Sequence, residues 1–148
     1  ENKMDNEKIS IWISEYISYE EQKLLFIPSN DNRVKFLSDF EISTDDFFDY
    51  DHTIILYGIF EGKPTNLNKV KGIIKDYPQI LDCWDEIENK LKENKIKKIN
   101  YLLAVPDFEY SSKITRSDKL IFVGNFQYTQ DFSSILEFLP EHLKNKLK

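Results

Sequence analysis

Hydrophobic and polar positions alternate strictly near the start of the chain. Ile9, Ile11 and Ile13 stand between Ser10, Trp12 and Ser14, so Lys8 to Tyr16 predicts a strand. Trp12 on the otherwise polar side implies that both faces of this strand are partly covered. Ser18 and Glu21 follow at capping-box spacing and open a short helix through about Phe26. Pro28 to Asn32 is a turn cluster. Asn32 is placed to cap a second short helix whose apolar face is Val34, Phe36, Leu37 and Phe40.

Thr53 to Phe60 is apolar nearly throughout, which predicts a centrally placed strand. Glu61-Gly62-Lys63-Pro64 ends it. Leu67, Val70, Ile74 and Tyr77 then recur at helical spacing. Pro78 opens a further helix at the position where proline is tolerated. Ile80, Trp84, Ile87 and Leu91 form its buried stripe, with Asp82, Asp85, Glu86, Glu88, Lys90 and Lys92 opposite. Ile99 to Val105 and Leu120 to Phe126 read as the two strands of a hairpin around the polar connection Ser111 to Asp118. Ser133 to Phe138 and Pro140 to Leu147 predict two closing helical pieces. Residues 1–7 read as a disordered or artificial leader, with Met4 placed to be a natural start. Residues 8–148 read as one domain. The fold class is α+β: a mostly antiparallel or mixed sheet of about four or five strands with helices packed on it.

The chain of 148 residues carries a net charge of −6, which disfavours DNA, RNA or an anionic membrane as partner. No apolar run approaches the ~18–20 residues of a membrane span. The single cysteine, the polar N-terminus and the many lysines point to the cytoplasm. With four glycines, one cysteine and two histidines, the chain has no Gly-rich phosphate loop and no four-cysteine zinc site. No cofactor or metal is expected.

Charge placement is more informative than its total. Between Asp31 and Glu61 stand eight acids and only two bases, Arg33 and Lys35. That balance of −6 equals the charge of the whole chain, and the other 117 residues hold eighteen acids and eighteen bases. Phe40, Phe47, Phe48 and Tyr50 are interleaved with the acids. Carboxylates steer and select a basic partner, and exposed aromatics anchor it. Asp39, Glu41, Asp45, Asp46, Asp49, Tyr50 and Asp51 are the candidate partner-binding residues. The plain alternative is a solvated acidic loop in which Phe40, Phe47 and Phe48 are core anchors.

Catalytic readings are thinner. Asp45, Asp46, Asp49, Asp51 and His52 would suit a carboxylate- or metal-dependent hydrolase, but they lack the glycine and spaced glutamate of a calcium loop. His142 reads as a surface residue, and Cys83 beside Trp84 reads as packing. Lys90, Lys92, Lys95, Lys97 and Lys98 read as a solvated helix end. No catalytic residue is assigned, and the chain is expected not to be an enzyme.

The order of segments carries a resemblance. Ile9-Ser10-Ile11-Trp12-Ile13 opens the series and Ser18-x-x-Glu21 follows. Phe36-Leu37-Ser38-Asp39-Phe40-Glu41-Ile42 then leads into Asp45-Asp46-Phe47-Phe48. Tyr101-Leu102-Leu103, Phe108-Glu109-Tyr110 and Leu120-Ile121-Phe122-Val123-Gly124-Asn125-Phe126-Gln127-Tyr128 complete it. The series resembles the immunity proteins of bacterial polymorphic toxin systems, specifically the immunity protein 22 family. The resemblance implies a non-enzymatic antitoxin that binds the C-terminal domain of a cognate toxin, often a nuclease with a basic groove. A general interaction module for another basic protein remains open beside it, and the oligomeric state is undetermined.

Overall fold

The central element is β1, Asn6–Ser14, which has a strand on each side. In the computed structural model, which describes residues 6–43 and 52–129, the main sheet has five antiparallel strands in the order β2-β5-β1-β7-β6. These are β2 (Ile54–Leu56), β5 (Tyr101–Pro106), β6 (Arg116–Ser117) and β7 (Leu120–Thr129) around β1. A separate two-stranded ribbon pairs β3 (Thr65–Asn66) with β4 (Lys98–Ile99). Five α-helices are described: α1 (Tyr19–Leu24), α2 (Lys35–Asp39), α3 (Leu67–Ile73), α4 (Pro78–Asp82) and α5 (Trp84–Glu93). The chain is α+β, with its helices laid on the sheet.

The alternation in β1 sorts its side chains onto two cores. Ile9, Ile11 and Ile13 are fully buried in an aliphatic core with Leu67 and Val70 of α3, Ile80 of α4, and Trp84, Ile87 and Leu91 of α5. Trp12 is fully buried on the other face among Phe36, Phe40, Tyr101, Leu103 and Tyr110. Both expected helical stripes pack into the aliphatic core, with Tyr77 only partly buried, although the second helix is interrupted at Cys83. The interruption is short enough that Ile80 and Trp84 still share one core. Ser18 and Glu21 form the expected reciprocal capping box.

The structure corrects three expectations. The expected central strand over residues 53–60 is a three-residue edge strand, followed by a 3-10 turn at Gly58–Phe60. Its apolar run reflects coverage of both faces at the sheet edge: Ile54 packs against the aliphatic core and Ile55 against the aromatic one. The expected hairpin of residues 99–105 and 120–126 does not form, because β1 lies between those strands. The hairpin partner of β7 is the two-residue β6, reached through Asp118 at φ 53°. Asn32 is a left-handed turn residue at φ 63°, and α2 starts instead from Val34. The predicted helical pieces after Ser133 lie outside the described residues.

Gly124 marks a β-bulge in β7. Ile11 pairs with Gly124 but Trp12 pairs with Phe122, so Val123 is the extra residue. Gly124 adopts φ +156°, and a Cβ there would come within 3.4 Å of the Phe126 ring. Glycine permits both this backbone and the close ring.

Candidate functional site

The chain leaves α2 through Phe40, which is a core residue, and turns at Glu41 in the left-handed region at φ 55°. The Phe40 ring packs 5.8 Å from Trp12 and 6.0 Å from Tyr110. This ring therefore fixes the start of the acidic segment rather than facing a partner.

Beside Glu41 the connection between β5 and β6 crosses the aromatic face. Asn125 holds it by imitating a neighbouring strand. The Tyr110 N–H donates to Asn125 Oδ1 (3.1 Å), and Asn125 Nδ2 donates to the Tyr110 carbonyl (2.8 Å). Buried Ser10 also accepts from the Tyr110 N–H (3.0 Å), and its own hydroxyl lies 2.9 Å from the Phe108 carbonyl. The Tyr110 hydroxyl lies 2.8 Å from both the Phe40 and Ile114 carbonyls, and its single proton serves one at a time. Burial pushes this phenol above its ordinary pKa, and the nearby Glu41 carboxylate adds to the shift.

These contacts produce a cleft of about 320 Å³ lined by Glu41, Asp107, Glu109, Tyr110, Ser111 and Ser112, among others. Three carboxylates from two distant parts of the chain thus line one concavity. Lys8 lies 3.9 Å from Glu109 across an exposed surface. Asp107 occupies the left-handed region at φ 55°, as Glu41 does. Asp107 and Glu109 are not among the candidates read from the sequence. Their signal is the Asp-x-Glu-Tyr pattern at residues 107–110, which repeats the mixture of acids and aromatics seen in the acidic segment.

The remaining candidates separate clearly. Both bases of the acidic segment are engaged. Arg33 lies 3.3 Å from Asp31, whose carboxyl is held below its usual pKa chiefly by a hydrogen bond from Ser29. Lys35 bridges Asp39 (2.5 Å) and Asp118 (2.7 Å), and these hydrogen bonds raise its pKa. Asp39 is therefore ion-paired within the fold, whereas Glu41 lines the cleft. Asp45, Asp46, Asp49, Tyr50 and Asp51 lie outside the described residues, as do Phe47 and Phe48. Four of the six excess negative charges belong to those aspartates.

His52 is exposed at the approach to β2. Cys83 is buried, and burial pushes its thiol up to about 12, with Asp82 and Glu86 adding to the shift. Such a thiol is a packing group and not a nucleophile at neutral pH. Among the described residues, no group of three or more His, Cys, Asp or Glu side chains is arranged to hold a metal ion. No helix of the described residues is long and apolar enough to cross a membrane. Compared with known proteins, the chain matches no family model, no curated protein and no solved structure.

Proposed function

We propose that this chain is an immunity protein that neutralises a cognate bacterial toxin domain by direct binding, without enzymatic chemistry of its own. The observation that supports this reading is the acidic cleft at Glu41, Asp107 and Glu109. It continues the acidic segment onto a surface shaped by the fold. Clustered carboxylates with few cations among them favour a basic partner and raise its association rate. A basic nucleic-acid-binding groove on a toxin domain would complement that surface. The cognate toxin would be encoded beside this chain, which acts in the cytoplasm of the producing cell or its neighbours.

The test is a binding and growth-rescue assay against the toxin domain encoded by the adjacent gene. Rescue and stable 1:1 capture are the expected results. The triple variant Glu41→Lys/Asp107→Lys/Glu109→Lys is expected to slow association by about tenfold or more at low salt. All three side chains lie on the surface, so its melting curve should stay close to that of the parent. Rescue that persists with unchanged association kinetics would remove the cleft from the mechanism. Absence of both binding and rescue would remove the immunity role itself.

A further inference from the structure

A second concavity has the opposite charge. It lies between the start of α3 and the end of α5, where the β3–β4 ribbon joins them. The helix end has a defined geometry. The Ile96 N–H donates to the Leu91 carbonyl (2.9 Å) and the Lys95 N–H to the Lys92 carbonyl (3.0 Å). Lys95 sits between them at φ 63°. This is a Schellman turn with lysine where glycine is usual. It folds Ile96 back into the aliphatic core, leaving it 5% exposed, and projects Lys95 and Lys97 to solvent. The start of α3 is tied on by the Leu67 N–H, which donates to the Lys97 carbonyl (3.2 Å).

The result is a groove of about 690 Å³ whose lining combines the apolar Leu67 and Ile96 with Lys92, Lys95 and Lys97 and with Asn66 and Asn68. Glu88 is the one acid in the lining, and it pairs with Lys92 at 3.2 Å. Asn66 occupies the N-cap position of α3, yet its side chain makes no capping hydrogen bond. Its amide is thus left to the groove.

We propose that this groove docks an acidic peptide segment of a protein partner. The lysines complement carboxylates, the apolar lining takes a side chain between them, and the asparagine amides match a peptide backbone. Nucleic acid fits less well. The lining has no aromatic platform for bases and no arginine fork for phosphate. The inference stands apart from the neutralising role proposed above, because it concerns another surface with the opposite charge.

The experiment is a fluorescence-anisotropy titration with a fluorescein-labelled peptide of alternating glutamate and leucine. Saturable binding that weakens with added salt is expected, with the glutamine-for-glutamate peptide at least about tenfold weaker. The Lys92→Glu/Lys95→Glu/Lys97→Glu variant should lose at least about tenfold in affinity, and the milder triple glutamine variant should lose less. The glutamine variant should keep the parent's melting curve, since these side chains are exposed, and the glutamate variant should melt slightly lower, because Lys92→Glu replaces the Glu88 pair with a repulsion at the end of α5. Lys23→Glu, on α1, should bind as the parent does. No saturation, equal binding by the triple variants, or tighter binding of single-stranded oligothymidylate of equal charge would each overturn the proposal.

Discussion

On one side of β1, Ile9, Ile11 and Ile13 meet aliphatic side chains carried largely by regular helices. On the other, Trp12 meets four rings drawn from unlike elements: Phe36 of α2 at 4.8 Å, Phe40 at the end of α2 at 5.8 Å, Tyr110 of the β5–β6 connection at 5.2 Å and Phe122 of β7 at 5.0 Å. Three of the four meet it edge-on, the arrangement that suits aromatic quadrupoles. The helical face closes by periodic burial. The aromatic face closes by a few large contacts, and its polar backbone is satisfied by side chains where no neighbouring strand exists. Asn125 pairs with Tyr110 there, and Asn100 pairs in the same two-bond manner with Ile17, at 2.9 Å for each bond. Two asparagines thereby substitute for strand neighbours, Asn125 beside Ser10 in the middle of β1 and Asn100 beside Ser14 at its end. The acidic cleft lies on the face built this way, and the lysine groove on the face built from helices.

The largest expected effect tests the hub. Trp12→Ala should cost about 3–5 kcal/mol in denaturant unfolding, because it removes the ring that all four others touch. Trp12→Phe should cost much less than the lost volume suggests. The Trp12 Nε1 is buried without a hydrogen-bond partner among the described residues, and phenylalanine removes that donor. If both variants cost the same, the shared ring contacts are not what stabilises this face.

The next effect separates the two ways of closing a face. Asn125→Ala leaves the Tyr110 carbonyl without its side-chain donor and should cost about 1–3 kcal/mol. Amide exchange at Tyr110 should accelerate, while the amides of α5 should keep their protection under native conditions. The acidic cleft would lose its rigid wall in the same variant. Equal acceleration on both faces would mean that the clamp supports the whole sheet and not the aromatic side alone.

The same contrast explains what could be read in the sequence. Amphipathic periodicity marked the helical stripes, and their burial follows it even across the interruption at Cys83. The alternation around Trp12 correctly implied two covered faces. Strand order was less legible, because apolar runs report coverage of faces and not position in a sheet. Residues 53–60 read as a central strand but form the edge, and the centre is β1. The cleft was half visible. Glu41 carried the signal of its segment, whereas Asp107 and Glu109 reach it through a hydrogen-bond clamp between residues fifteen positions apart. Polar Asn100 and Asn125 within apolar stretches were the available clue, since asparagine is depleted from strands unless it has work with the backbone. The lysine run reads in the sequence as a solvated helix end, and its groove is not legible there because it depends on a backbone bond from Leu67 to Lys97.

The smallest effect is a gain, and it lies on the helical face. Lys95 holds the left-handed position of the Schellman turn at φ 63°, a conformation that costs a non-glycine residue roughly 1–2 kcal/mol. Glycine would relieve that strain but add about 0.5–1 kcal/mol of unfolded-chain entropy to be lost on folding. The difference predicts that Lys95→Gly stabilises by about 0.5–1 kcal/mol, read as a higher denaturant midpoint at unchanged slope. The same substitution removes one of the three lysines of the groove, so affinity for the glutamate–leucine peptide should fall as stability rises. Opposite signs in one variant would show that the lysine is kept at a strained position for its charge. A variant that gained stability and kept its affinity would leave Lys95 as a helix end alone.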